Sequence, residues 1–389
     1  MSPLSNSYVP PSRLRSMEPF YPLHAFVCSD CKLVQLEEFE SPDQIFSDYA
    51  YFSSYSDSWL KHAARYTEEM IARFGYDDFS QVVEIASNDG YLLQNFVQRG
   101  IPVLGVEPAA NVAEVARAKG VPTEVRFFGC ETATLLKSQG KSADLLLGNN
   151  VLAHVPDIND FVGGMKILLK PDGEITMEFP HLLQLIANNQ FDTIYHEHFS
   201  YLSFLTVEKI FAAHGLKMFD VEELSTHGGS LRIFACHAED DRPVGIRVAQ
   251  MLRKEDQAGL NDIATYAAFG EKVKETKRKL LDFLLEARKA GKTVAGYGAP
   301  AKGNTLLNYC GVRSDLVEFT VDRSPHKQGR FLPGTRIPIY GPDKIAEAKP
   351  DYLLILPWNL KDEVMEQMSE IKSWGGKFVV PIPEVKICA

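Results

Sequence analysis

The stretch YHEHFSYLS at 195–203 sets Tyr195, His196, Glu197, His198 and Tyr201 within seven positions. A neutral imidazole takes a proton near pH 7, a phenol donates to a developing oxyanion, and a carboxylate orients an imidazole. The chemistry this points to is acid and base work. A metal site is the rival, although histidines on a helix would favour i, i+4 spacing, and a purely structural cluster is the other alternative. His154, in NNVLAHVPD, is expected on the same rim of the fold. His181 and His227 also fall near strand ends, with nothing adjacent that gives them a role.

A second group lies in VEIASNDGYLL. Glu84 ends a strand, and a Ser87, Asn88, Asp89, Gly90 turn leads into a helix, the position where open α/β sheets bind ligands. Gly90 would let the backbone come close to such a ligand. About 20 residues further on, Glu107 closes the next strand, where an acid accepts hydrogen bonds from both hydroxyls of a ribose. NAD and S-adenosylmethionine (SAM) both carry that ribose. A dinucleotide fold wants GxGxxG for its pyrophosphate, whereas this turn offers only Gly90, with Ala86 where the first glycine would stand. A carboxylate at Glu84 would repel a pyrophosphate and suits a cationic amino acid group, so SAM is preferred. Asn149 and Asn150 line the same pocket or cap the following turn.

A third group, GYGAPAKGNTLLNY at 296–309, places Gly296, Gly298 and Gly303 with Lys302 and Asn304 between a strand and a helix. Amides at that helix start, with Lys302, form a phosphate cradle. It matches neither GxGxxG nor the P-loop, and a glycine turn with a solvent lysine is the alternative.

These groups need a scaffold. Short apolar runs at 82–86, 103–107, 144–149 and 174–179 alternate with helix-compatible segments at 92–98, 111–119 and 158–169, which predicts a doubly wound α/β sheet. Two further strands near 217–224 and 231–237, separated by THGGS, predict an antiparallel pair at the sheet edge. Together they give the seven-strand methyltransferase pattern. Residues 246–290 form a charged helical stretch, with Leu280, Leu281, Leu284 and Leu285 at helical spacing, that reads as an amphipathic connector. A second α/β alternation runs from 293 to 383. Before residue 60 the chain is proline-broken and rich in aromatics, a small loop-rich lobe.

Composition narrows the class. A chain of 389 residues with 45% hydrophobic and 24% charged residues is globular rather than disordered or fibrous. Its net charge of −10 argues against a broad nucleic acid face, and no apolar run reaches the ~20 residues of a membrane span. No signal peptide is evident at the start, so a cytoplasmic protein is expected. Of six cysteines only Cys28 and Cys31 are close together, so a disulfide scaffold is not expected.

The segments PLHAFVCSDCKLVQL, VEIASNDGYLLQ, YHEHFSYLS, GGSLRIF and GYGAPAKGNTLLNY, in this order over nearly the whole chain, resemble the SAM-dependent sugar C-methyltransferases. That family methylates a carbon of nucleotide-linked 4-keto deoxysugars. The resemblance implies an N-terminal zinc-type lobe at 1–56, a SAM domain at 57–240, and a C-terminal Rossmann-like domain at 241–389 that helps hold the nucleotide sugar. It implies His198 as general base, with Tyr195, Glu197 and His154 around the keto sugar and Tyr49 reaching in. On this basis Glu84, Ala86, Asn88, Gly90, Glu107 and Asn149 are expected to bind SAM, and Tyr49, His196, Lys302 and Asn304 the substrate. The expected partner is a nucleotide-linked keto-deoxysugar, with no nucleic acid or membrane, and the expected state is a monomer. One departure concerns zinc. The family uses two CxxC pairs, and here only Cys28 and Cys31 stand, the chain being expected to begin after the place of the first pair, so the site is incomplete. An NAD-dependent sugar oxidoreductase or epimerase, and a catalytically inactive nucleotide-sugar-binding relative, are the alternative functions.

Overall fold

The computed structural model describes residues 1–41 and 53–388. Tyr49 lies outside the described residues. The chain packs as two compact units, one of Cys28–His181 and Phe199–Asn261, the other of Met1–Val27, Leu182–His198 and Asp262–Ala389.

In the first unit, helix α1 (Asp57–Phe74) is capped by the Ser56 hydroxyl on the Trp59 amide and stopped by Gly75 at φ 76°. Its sheet comprises β1 (Val82–Ile85), β2 (Val103–Val106), β3 (Thr123–Glu124), β4 (Ala143–Asn149), β5 (Leu169–Pro180), β6 (Leu216–Leu224) and β7 (Ser230–His237). Helices α2 (Ala110–Ala118), α3 (Cys130–Ser138), α4 (Ile158–Leu168), α5 (Phe204–Ala213) and α6 (Ile246–Gln257) accompany it. The strand order is β3-β2-β1-β4-β5-β7-β6. All neighbours are parallel except β7, which runs antiparallel to both β5 and β6. The predicted seven-stranded α/β sheet with its antiparallel edge pair is therefore present. Among the elements that were not legible, β3 is only two residues long and α3 carries a weakly patterned sequence.

Alternation along β1 sorts its side chains between two cores. Val83 and Ile85 join Leu104, Leu146 and Phe161 on one face. Val82 joins Tyr66, Met70, Tyr91 and Leu147 on the other. Glu84 follows Val82 in that alternation, so its carboxylate enters an apolar layer. Each leucine fully buried in these layers contributes about 1.5–3 kcal/mol.

In the second unit, α7 (Ile263–Lys289) begins on the Asp262 carboxylate, which accepts the Ala264 amide. Leu280 and Leu284 are buried while Leu285 is exposed, so α7 packs through a narrow stripe. The predicted connector is in fact two helices, because Gly259 at φ 81° ends α6 before Asp262 starts α7. The sheet orders β8 (Val294–Tyr297), β9 (Thr320–Val321), β10 (Ile339–Tyr340), β11 (Tyr352–Ile355), β12 (Lys377–Val380) and β13 (Lys386–Cys388) as β10-β9-β8-β11-β12-β13, parallel but for β13. Helix α8 (Ala301–Cys310) follows β8. Segment 182–198, which sits in sequence between β5 and α5, packs with this unit. The first nine residues do too: Val9 and Phe331 exchange backbone hydrogen bonds, each of 2.9 Å.

Candidate active site residues

The turn after β1 places Ala86, Asn88 and Gly90 at φ 56°, 49° and 74°. Three alternate residues thus hold the left-handed conformation, although only one is glycine. Asn tolerates it through its short polar side chain, while Ala86 carries the steric cost. A Cβ on Gly90 would come within 3.2 Å of Ala116 Cβ and 3.1 Å of Val121. Gly90 therefore admits close packing of α2 and its following turn, where the sequence suggested approach to a ligand. The Asn88 side chain accepts the Ser53 amide at 2.9 Å, and Lys119 clamps Asp89 at its carbonyl (2.8 Å) and carboxylate (3.1 Å).

Three buried glutamates of this unit differ in what meets them. Glu178 on β5 accepts from His62 at 2.8 Å and Thr226 at 2.8 Å, with Arg232 3.3 Å away. Burial alone would raise its carboxyl, but these donors outweigh burial and hold it below the usual range. Glu107 accepts the Asn88 and Ala109 amides, both at 2.9 Å. Burial still pushes it up. Each of its oxygens keeps a lone pair, enough to accept a hydroxyl. Glu84 is 0% exposed, and neither oxygen has a hydrogen bond of good geometry among the described residues. Burial pushes its carboxyl well above the usual range, the nearby Tyr91 hydroxyl easing this only in part. The same sheet fully pairs Glu178 and leaves Glu84 without a donor of good geometry among the described residues.

Around that turn, Asn149 Nδ2 lies 3.5 Å from the Tyr91 hydroxyl, and Trp59 stacks on Tyr91 with centroids 6.0 Å apart. Asn150, at φ 56°, takes its amide to the Glu178 carbonyl and its side chain to His227 at 3.0 Å. His154 is half-buried at the end of the 3-10 turn Leu152–His154.

The YHEH segment belongs to the other unit. His198 Nδ1 is 3.1 Å from the Thr193 carbonyl. A carbonyl only accepts, so Nδ1 carries the proton and Nε2 is the lone-pair nitrogen of the neutral ring. The Tyr195 ring packs on His198 with centroids 4.2 Å apart, and the His198 amide closes the turn on the Tyr195 carbonyl at 2.9 Å. His196 points elsewhere: Nε2 donates to the Pro22 carbonyl at 3.0 Å, Tyr21 meets its ring edge-on, and burial lowers its pKa. Glu197 is buried, and both oxygens accept from Asn6 Nδ2, at 2.8 and 2.9 Å. Burial raises its carboxyl to about 7. Sequence reasoning missed Asn6, which lies 191 positions from Glu197 and has no local signal.

The loop ahead of this turn is braced. Trp358 Nε1 donates to Asp192 at 2.7 Å, and Thr305 donates to the Ile194 carbonyl at 3.2 Å. Burial raises Asp192 to about 6, partly offset by Lys302. Lys302 lies over the Trp358 ring at 4.5 Å and donates to Asn359 at 2.7 Å. Asn304 is buried and donates to the Ser5 carbonyl at 2.7 Å. A Cβ on Gly298 or Gly303 would lie 2.6 Å from Pro357 or 2.9 Å from Leu356, so these glycines serve close packing against the chain after β11. Over the carboxyl ends of β8 and β9, a cleft of about 200 Å³ is lined by Tyr297, Gly298, Asp322, Arg323 and Lys327, among others.

Cys28 and Cys31 form a tight knuckle: the Lys32 amide, at φ 67°, returns to the Cys28 carbonyl at 3.1 Å. The Cys31 and Asp30 amides hold the Cys28 thiol below its usual value. Among the described residues no group of three or more His, Cys, Asp or Glu stands together for a metal ion, so two thiols do not complete a structural zinc site.

Comparison with known proteins gives three family matches along the chain. A family model described as a putative zinc binding domain matches residues 1–46, one for a methyltransferase domain matches 59–221, and one for a C-methyltransferase C-terminal domain matches 225–383. C-methyltransferase NovU of Streptomyces niveus is 39% identical over 370 residues, covering 95% of this chain and 88% of NovU. A ubiquinone biosynthesis O-methyltransferase of Chelativorans sp. is 30% identical over 114 residues, covering 27% of this chain and 45% of its own. Among solved structures, magnesium protoporphyrin IX methyltransferase from Synechocystis PCC 6803 aligns with 46% of this chain and 83% of its own, at 14% identity and TM-score 0.37.

Proposed function

Since the chain belongs to the SAM-dependent sugar C-methyltransferase family, we propose that it methylates the carbon beside the keto group of a nucleotide-linked 4-keto-6-deoxy sugar, with His198 as the base. SAM-dependent C-methyl transfer is the family's activity; the sugar, the carrier and the residue roles are our reading. The observation that carries it is the fixed tautomer of His198, whose Nδ1 is held by the Thr193 carbonyl while Nε2 keeps a lone pair.

When bound, SAM supplies an electrophilic methyl group to a carbanion. The chain's own residues make that carbanion. A ketone acidifies the neighbouring C–H; His198 Nε2 takes the proton, and the electron pair moves into the enolate oxygen. Tyr195, packed on His198, donates to that oxygen. Glu197, on the same turn, settles the charge of the resulting imidazolium. The carbon then takes the methyl group, and the ketone re-forms. Glu84 fits the amino group of SAM, because its carboxylate is buried without a donor, and Glu107 fits the ribose through its remaining lone pairs. Asn88 and Asn149 shape the same turn. For the carrier we propose the cleft over β8 and β9, where Arg323 and Lys327 supply positive charge beside Asp322, with Lys302 at the start of the following helix and the buried Asn304 fixing that helix to the Ser5 carbonyl.

The test is incubation with SAM and a panel of nucleotide-linked 4-keto-6-deoxy sugars, read by mass. One substrate should gain a single methyl group. A panel that stays unmethylated while NAD, and not SAM, raises the melting temperature would overturn the reading.

A further inference from the structure

Glu197 is buried, and a side-chain amide from the far end of the chain, that of Asn6, meets its carboxylate. Asn6 Nδ2 sits 2.8 Å from one carboxylate oxygen and 2.9 Å from the other. Only the nitrogen end of the amide can face a carboxylate in this way, so the orientation of Asn6 is determined by chemistry. The Tyr8 hydroxyl lies 3.3 Å from Asn6 Oδ1, the acceptor end, and also donates to the Ala299 carbonyl.

Asn6 itself is exposed, but the segment that carries it is fastened on both sides. Ser2 and Tyr21 exchange backbone hydrogen bonds of 2.8 and 2.9 Å. Asn304 donates to the Ser5 carbonyl at 2.7 Å. Val9 pairs with Phe331. Residues 2–9 thus form a strap whose backbone is held independently of Asn6, and whose one amide reaches the carboxylate between His196 and His198. A strap fixed this firmly places a donor with little entropic loss.

We propose that Asn6 is a positioning residue for the methyl transfer: it holds both oxygens of Glu197 in one orientation, and so sets how that carboxylate serves His198 and Tyr195. The inference rests on the acid and base reading of the YHEH turn. Its electrostatic consequence has a definite sign. Burial raises the Glu197 carboxyl, and the Asn6 bond lowers it by favouring the charged form. Titratable groups around it include the Tyr8 phenol, the Tyr195 phenol and the imidazoles of its neighbours His196 and His198, with Asp322 and Lys327 around Tyr8 and the amino terminus acting on His196. Removing the amide takes away a donor that favours the charged form, so Glu197 holds its proton to higher pH.

The experiment compares wild type, Asn6→Ala, Asn6→Asp, Glu197→Gln and the Asn6→Ala/Glu197→Gln double variant. Because Asn6 is exposed, none of the Asn6 changes empties the core. Two readouts are taken: the carboxylic acid band of Glu197 in infrared difference spectra across pH, identified by its loss in Glu197→Gln, and the pH profile of kcat/KM. In wild type the band is expected to titrate near 7. Asn6→Ala should move it up by about one pH unit and carry the acid limb of kcat/KM with it. Turnover at neutral pH should fall roughly tenfold, with the SAM Kd unchanged. Asn6→Asp, which replaces the donor by a second carboxylate, should move the band at least as far. The double variant should be no slower than Glu197→Gln alone. An unmoved band in Asn6→Ala, or equal loss in both backgrounds, would overturn the proposal. If instead the band moves as stated while Glu197→Gln turns over at the wild-type rate, the role given to Glu197 fails and the Asn6 contact stands.

Discussion

Two glutamates, Glu84 in the seven-stranded unit and Glu197 in the C-terminal unit, are almost equally buried, at 0% and 6% exposure, and both have raised carboxyl pKa values. They differ in what surrounds them. Glu84 lies inside a strand, with no well-formed hydrogen bond among the described residues, and a bare buried carboxylate stabilises whatever cation enters. Glu197 lies on a turn and is met by an amide donor, which brings its raised pKa back to about 7. The first environment suits ligand capture and the second suits proton handling near neutral pH. Burial raises both carboxyl groups, and the donor that Asn6 supplies to Glu197 has no well-formed counterpart at Glu84 among the described residues.

The sharpest break of this comparison lies beside Glu197. His198→Asn keeps a hydrogen-bonding side chain but no base, so turnover should fall by roughly 10² to 10⁴, while SAM affinity by calorimetry stays within twofold. Glu84→Gln should do the reverse in kind, raising the SAM Kd by roughly tenfold to a hundredfold with a smaller effect on turnover at saturating SAM.

The same change at Glu84 carries a pH signature. In the folded protein Glu84 keeps its proton above the ordinary glutamate value, so the native state binds more protons than the unfolded chain through that window. Without SAM, its contribution to stability is therefore greatest at low pH and is lost as pH rises above about 4.3 towards the raised native pKa. The melting temperature of SAM-free Glu84→Gln should exceed that of wild type at pH 7 and converge with it in acid, as a thermal scan against pH would read. Ala86→Gly relieves a left-handed alanine at φ 56° and should stabilise the SAM-free protein by about 1 kcal/mol, measured by urea unfolding. That effect is the smallest, and its absence would mean that the turn relaxes around Ala86.

Much of the scaffold was legible because its strands are apolar runs bounded by turn residues: VVEI, VLGV and DLLLGN form β1, β2 and most of β4. The two-residue strands β3 and β10 carry too few residues to show a period. Glu84 and Glu107 were legible as strand-end acids because spacing along a βα unit is local information. The bracing of the YHEH turn was not, since Asn6, Trp358 and Thr305 reach it from 191, 166 and 111 positions away. The glycines at 298 and 303 show where sequence is ambiguous: a small residue that admits a ligand and one that admits a proline or leucine leave the same trace.

The central claim is that His198 enolises a keto sugar. It is tested most directly by deuterium uptake from heavy water into a nucleotide-linked 4-keto-6-deoxy sugar, with S-adenosylhomocysteine in place of SAM. Wild type should exchange hydrogen at one carbon beside the ketone, and His198→Asn should exchange none above the enzyme-free rate. Equal exchange by both proteins would contradict the account.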